Sequence, residues 1–225
     1  MSSETLPRIL ARLLAVVVAS LSIPNLAQES TIPLPPAGCA NLQGTSIPVS
    51  AIGLRTSGAV VQTASAVSAA DKGNVNGDFC KVTGIVRPHN PTSPNLEFEV
   101  NLPAAWNRRV LQMGGGGYNG SLVTGLGGFT LQPANVDNPL KQGFVTVGTD
   151  GGHQSPPGFD GSFGMDDEAL ANFGKESVKK GHDVAIAIIK KAYCRSRWDT
   201  HSICCSAHLK SSRLSSPSRH SPTRC

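Results

Sequence analysis

Aromatic residues are scarce in this 225-residue chain, at 5%, and charged residues make up only 16%. With 39% hydrophobic residues, that balance excludes a globally disordered chain. The apolar run at residues 13–21 is too short to cross a bilayer. The six cysteines lack the paired short spacings of a structural zinc site. A run of four glycines is followed by Tyr118-Asn119, not by the Lys-Ser/Thr of a phosphate loop, and no Gly-x-Gly-x-x-Gly opens a helix, which argues against a nucleotide-phosphate protein. The net charge of +5 belongs to one end: residues 1–174 hold 9 Lys/Arg against 12 Asp/Glu, and residues 175–225 hold 11 against 3. The body therefore presents no basic face interleaved with aromatics, and nucleic-acid binding is not expected. Glycine (24) and proline (16) are plentiful, as suits an α/β or β-rich chain with many loops.

The chain is organised around residues 107–119, Asn-Arg-Arg-Val-Leu-Gln-Met-Gly-Gly-Gly-Gly-Tyr-Asn. Residues 110–113 read as a buried strand that stops at Gly114, Gly115, Gly116 and Gly117, a sequence no strand or helix interior would choose. Bare backbone lets amide N–H groups approach a ligand or a developing negative charge without Cβ atoms in the way. A flexible hinge is the alternative reading of those glycines.

At the amino end, Arg8 and Arg12 flank and interrupt the short apolar run, with Pro24 and Ala27 after it, so residues 1–27 read as a secretory signal peptide, with a membrane anchor as the alternative. Residues 28–38, with Pro33, Pro35 and Pro36, form a linker. An exported chain makes disulfides the default; Cys39 and Cys80 stand alone in the first half and are expected to pair. Residues 58–70 could be a strand pair or irregular structure. Residues 79–86 form a strand, and residues 96–102 alternate strictly, with Leu96, Phe98, Val100 and Leu102 on one face and Glu97, Glu99 and Asn101 on the other. Two antiparallel strands with one wet face are expected.

Residues 144–149 form the next buried strand and deliver Asp150 and His153 to its carboxyl end, where open α/β sheets place ligands; turn capping is the alternative role for both. Asp166 or Asp167 caps a short helix, and a longer helix covers residues 175–193. Its buried stripe is expected at Val178, His182, Ala185, Ile186, Ile189 and Tyr193, making His182 a core residue, with Lys179, Lys180, Lys190 and Lys191 outside in water. Residues 198–203 are a short strand candidate reaching Cys204-Cys205-Ser206. A serine just past a strand that follows a crossover helix is where an α/β-hydrolase places its nucleophile, with oxyanion donors from the loop after the third strand.

Residues 79–84 (Phe-Cys-Lys-Val-Thr-Gly), 98–103 (Phe-Glu-Val-Asn-Leu-Pro), Trp106-Asn107, 111–117 (Leu-Gln-Met-Gly-Gly-Gly-Gly), 148–153 (Gly-Thr-Asp-Gly-Gly-His) and Phe173-Gly174 at a helix start together resemble the tannase/feruloyl esterase family, in its order, over residues 39–194. The resemblance implies a secreted α/β-hydrolase that cleaves esters of hydroxybenzoic or hydroxycinnamic acids. Cys205-Ser206 fits the middle of the family's Gly-Cys-Ser-x-Gly-Gly, implying Ser206 as nucleophile and Cys205 as its disulfide-forming neighbour; Cys204 and His208-Leu209 stand where glycines are expected.

The fold class implied is α/β, an incomplete α/β-hydrolase with the amino-terminal half of the sheet, carried by residues 39–206. The lid domain, where the family often holds calcium, and the triad Asp and His have no counterpart in the 225 residues. No metal or cofactor is expected in the chain itself. Residues 207–225 read as a disordered or frame-shifted tail, or as an arginine/serine interaction tail. The oxyanion donors implied are Gly115, Gly116 and Gly117, with Asp150 and His153 on the substrate-side loop. A small phenolic or plant cell-wall ester is the expected partner, with no nucleic acid and no membrane, and the location extracellular. The chain as written is expected to be inactive and, with an open sheet edge and a partly covered helix stripe, to aggregate or stay partly molten. A non-catalytic secreted binding module is the alternative. The Asn119-Gly120-Ser121 sequon is expected to carry no glycan, which would obstruct the glycine loop.

Overall fold

A computed structural model describes residues 31–35, 38–128, 132–155 and 160–193. The expected signal segment, the strand expected at residues 198–203, Cys204, Cys205, Ser206 and the tail lie outside the described residues. The strands are β1 (Ile32–Pro33), β2 (Ser46–Ile47), β3 (Ala59–Val67), β4 (Phe79–Val86), β5 (Leu96–Pro103), β6 (Ala105–Trp106), β7 (Val110–Gln112) and β8 (Val145–Thr149), followed by helices α1 (Asp167–Ala171) and α2 (Ser177–Tyr193).

Six strands form one mixed sheet in the order β2-β3-β4-β5-β8-β7. Its neighbours are antiparallel except β7 and β8, which run parallel, with Leu111 opposite Thr146. The sheet and the helix packed on it make the α/β arrangement expected from the sequence. Residues 59–67, left open between a strand pair and irregular structure, form the single strand β3. Part of the expected linker is also structured: β1 pairs with β6, and the Leu34 N–H donates to the Ala104 carbonyl at 2.9 Å.

The β4/β5 pairing follows the alternation, with Val82 opposite Val100 and Cys80 opposite Leu102. Leu96, Phe98, Val100 and Leu102 enter a core shared with Val184, Ala185, Ile188 and Ile189 of α2. The second face is not wet. Glu99 and Asn101 are buried, at 1% and 0% exposure, because the segment at residues 120–126 lies over them. Asn101 Nδ2 donates to the Thr124 carbonyl at 2.7 Å, and a Cβ on Gly148 would meet the Val123 carbonyl oxygen at 1.9 Å, so only glycine allows this approach. Burial raises the Glu99 pKa, and the Asn101 amide and Lys81, 3.3 Å away, oppose it.

Helix α2 also sits differently from the expected stripe. Val178 is 61% exposed and the His182 side chain 44%, so His182 is not a core histidine, whereas Lys180 is buried rather than solvated. Of the expected stripe, Ala185, Ile189 and Tyr193 are buried; the inward face also carries Lys180, Gly181, Val184, Ile188 and Ala192. Gly181 explains the rotation: a Cβ there would lie 2.8 Å from Thr149 Cγ2, so the helix rests on the sheet at its one residue without a side chain. The helix begins at Ser177 rather than residue 175, after a π-helical turn at Asn172–Glu176. Val184, Ala185 and Ile188 are fully buried against the sheet, whereas Val178 stays exposed.

Two anchors close the core. Cys39 and Cys80 form the expected disulfide, Cα to Cα 5.5 Å. At the end of α2, Tyr193 stacks on Trp106 at 4.9 Å and donates its hydroxyl to the Pro103 carbonyl at 2.7 Å, while Trp106 Nε1 donates to the Arg109 carbonyl just before β7. Strand β7 itself is half-buried rather than buried, because among the described residues it has a strand partner on one side only.

Candidate active site

Strand β7 ends by donating the Met113 N–H to the Val147 carbonyl at 2.8 Å, and the four glycines follow at once. Among the described residues no hydrogen bond takes up the N–H of Gly114, Gly115, Gly116 or Gly117. A Cβ on Gly114 or Gly116 would meet nothing within 4 Å, so those positions face open space. Gly117 has φ 58°, a backbone state that favours glycine, and the chain then turns through Tyr118 and Asn119. The backbone thus presents a row of donors that no described residue claims, at the carboxyl end of a parallel strand pair, as anion or oxyanion recognition requires.

Strand β8 ends beside it. Asp150 is fully buried and accepts N–H groups from Gly152 at 2.8 Å and Glu97 at 3.2 Å, and the Gln154 side-chain amide. Its carboxylate therefore organises the turn and clamps it to the start of β5. Burial pushes its pKa up to about 6 against those three donors, and nearby Glu97 adds to the rise. No hydrogen bond links Asp150 to His153.

His153, 2% exposed, stacks on Phe163 at 3.8 Å and meets Phe173 edge-on at 5.9 Å. Among the described residues neither ring nitrogen has a hydrogen-bond partner in ordinary geometry. Burial lowers its pKa, while the Tyr118 carbonyl and Asp160 act the other way. Tyr118 reaches across from the glycine loop, 6.2 Å edge-on to both Phe163 and Phe173. An aromatic group thus adjoins the bare amides, and a cleft of about 180 Å3 opens beside it, lined by Pro94, His153, Gln154, Ser155, Ser162 and Phe163.

The structure therefore brings together Gly115, Gly116, Gly117 and, through Tyr118, His153; Asp150 lies in the same turn but faces inward. Ser206 and Cys205 are outside the described residues. Sequence reasoning missed Tyr118, Phe163 and Phe173, whose separation along the chain hides their contact. It also missed Lys180, although Glu176 four residues before it is the spacing of a helical ion pair. Among the described residues no group of three or more His, Cys, Asp or Glu could hold a metal ion, and no helix is long and apolar enough to cross a membrane.

A family profile described as tannase and feruloyl esterase matches residues 80–207. An uncharacterized esterase of Agrobacterium fabrum is 42% identical over 179 residues, covering 79% of this chain and 32% of the relative. The mono(2-hydroxyethyl) terephthalate hydrolase of Piscinibacter sakaiensis is 31% identical over 150 residues, covering 64% of this chain and 24% of the relative. The chain thus spans a third or less of these curated relatives. Among solved structures, feruloyl esterase B from Aspergillus oryzae overlays with a TM-score of 0.49 at 24% identity, covering 70% of this chain and 30% of that one.

Proposed function

The chain belongs to the tannase and feruloyl esterase family, and from that premise we propose that it carries the oxyanion side of a secreted serine carboxylic ester hydrolase acting on phenolic esters. The observation that carries this reading is the row of N–H groups at residues 114–117 that no described residue claims, beside Tyr118, at the carboxyl end of β7. The Piscinibacter sakaiensis relative is named for an ester of an aromatic acid, which supports an aromatic acyl group here. The Cys39–Cys80 disulfide supports an oxidising, extracellular setting.

In this reading the Ser206 hydroxyl oxygen attacks the ester carbonyl carbon, and its proton passes to a histidine. The carbonyl oxygen becomes an anion held by the N–H groups of Gly115, Gly116 and Gly117. The bond to the leaving alcohol then breaks, the histidine returns the proton to the departing oxygen, and water repeats the sequence to release the acid and regenerate Ser206. Cys205 pairs with a cysteine beside that histidine. His153, buried among Phe163 and Phe173, is not this base but part of the substrate-side wall with Tyr118. Cys204 and His208-Leu209 stand where the family has glycines beside its nucleophile, so in this reading the chain binds an ester without turning it over.

The test uses methyl ferulate with two proteins: the chain itself, and a hybrid continued after residue 193 with the remainder of the Agrobacterium fabrum esterase. Hydrolysis by the hybrid and none by the chain is expected. Hydrolysis by the chain, lost on Ser206→Ala, would remove the inactivity. A folded hybrid that binds ferulate without cleaving it would replace the esterase reading with that of a binding module.

A further inference from the structure

Asn119 stands out in the turn behind the glycines. Its backbone is left-handed, with φ 54°. Its N–H donates to the Gly116 carbonyl at 3.0 Å, and the next residue, Gly120, donates to the Asp150 carbonyl at 3.0 Å. The side-chain Nδ2 reaches the Thr149 carbonyl at the end of β8, 3.4 Å away. A Cβ on Gly115 would lie 2.1 Å from Asn119 Oδ1, and one on Gly151 would lie 3.1 Å from Nδ2. The carboxamide therefore fills the space between the glycine loop and the turn that holds Asp150.

Donors stabilise a developing charge best when they are already oriented before the reaction. Four successive glycines cannot arrange this for themselves: they have no side chains to pack, and glycine loses more conformational freedom on ordering than any other residue. The restraint must come from a neighbour. Asn119 closes the turn through its backbone and spans to β8 through its side chain.

We propose that Asn119 is the positioning residue of the oxyanion loop, its carboxamide wedged between Gly115 and Gly151 and tied to Thr149 so that the amides of residues 114–117 keep one arrangement before an ester arrives. This role excludes the other use of the same atom. A glycan on the Asn119-Gly120-Ser121 sequon would consume the Nδ2 donor and force the side chain out of the wedge. The oxyanion part of the inference rests on the hydrolase reading; the rigidity part rests on geometry alone.

The experiment measures backbone 15N order parameters of the full chain, wild type against Asn119→Gly, which keeps the left-handed backbone and removes only the side chain. In the wild type the amides of Gly115, Gly116 and Gly117 are expected near the rigid value of about 0.85, falling below about 0.6 in Asn119→Gly, with β5 and α2 unchanged. Glycines already mobile in the wild type, or equally rigid in Asn119→Gly, would overturn the proposal. In the ester-cleaving hybrid, Asn119→Gly is expected to lower kcat about a hundredfold with KM within about twofold. Asn119→Asp, with the same shape but no N–H for the Thr149 carbonyl, is expected to fail to rescue it. An unchanged kcat beside a loosened loop would overturn the oxyanion part, whereas a hybrid without activity would sink the hydrolase reading and leave the order parameters to decide the wedge.

Discussion

The Nζ of Lys180 lies 2.8 Å from the Oδ1 of Asn172, with both side chains 2% exposed. Glu176 at 3.2 Å and Glu168 at 3.6 Å complete the surroundings of that amine. Glu168 in turn accepts the N–H groups of His89 and Asn90 between β4 and β5. Asn172 packs against Gly152, where a Cβ would lie 2.4 Å away, so the network ends against the turn that presents His153.

Lys180→Ala removes the buried cation that Glu168 and Glu176 share. Breaking a buried pair by deleting one partner typically costs about 3–5 kcal/mol. A fall in Tm of about 10 °C is expected for a chain of this size, measured by differential scanning calorimetry. Lys179→Ala, at an exposed ion pair with Asp183, should move Tm by no more than a few degrees.

Asp150 and His153 tilt stability in opposite directions with pH. The folded pKa of Asp150 is raised to about 6, so its contribution is fully present below the unfolded value of 3.8 and is lost as pH rises through 6, about 3 kcal/mol in all. The folded pKa of His153 is lowered from 6.5, so its contribution is present above 6.5 and is lost as pH falls. Asp150→Asn keeps an oxygen for the Gly152 and Glu97 amides and cannot ionise. Urea unfolding at pH 5 and pH 8 should find it gaining stability over the wild type at pH 8, with a residual slope rising with pH from His153. A variant weakened equally at both values would contradict this.

Neighbouring glycines in the loop should respond unequally to alanine. A Cβ on Gly115 displaces the Asn119 carboxamide, whereas one on Gly114 meets nothing. Gly115→Ala is expected to lose about 1 kcal/mol, the usual worth of one hydrogen bond with its packing, and Gly114→Ala about zero. Chemical denaturation of the two variants side by side checks the order.

The disulfide between Cys39 and Cys80 closes a loop with a sequence separation of 41 and ties the segment before β2 to β4. Its removal in a Cys39→Ser, Cys80→Ser double variant should cost about 2–4 kcal/mol. Thermal melts of the wild type with and without reductant should reproduce the same loss.

Much of the frame was legible locally. The alternation over residues 96–102, the cysteine pairing, the Asp166 cap, whose Oδ1 accepts the Ala169 N–H at 2.7 Å, and the strand before the glycines each depend on residues near in sequence or on a default of chemistry. What failed was the other side of each element. Glu99 and Asn101 carry polar side chains that a strand pattern assigns to water, yet the segment at residues 120–126 covers them. Lys180 carries a charge that a helix pattern assigns to solvent, yet Asn172, Glu168 and Glu176 receive it.

By itself the sequence determined where β4, β5, β7, β8 and the two helices form, that Cys39 joins Cys80 and where a side-chain-free loop interrupts the chain, because periodicity and the special backbone freedom of glycine act over a few residues. Only the tertiary structure decided that Gly181 is the point where α2 meets the sheet, that Asn119 stands behind Gly115, and that Tyr118, His153, Phe163 and Phe173 converge. Those facts depend on which distant segment fills the space beside a residue, and close packing settles that only once the whole chain has folded.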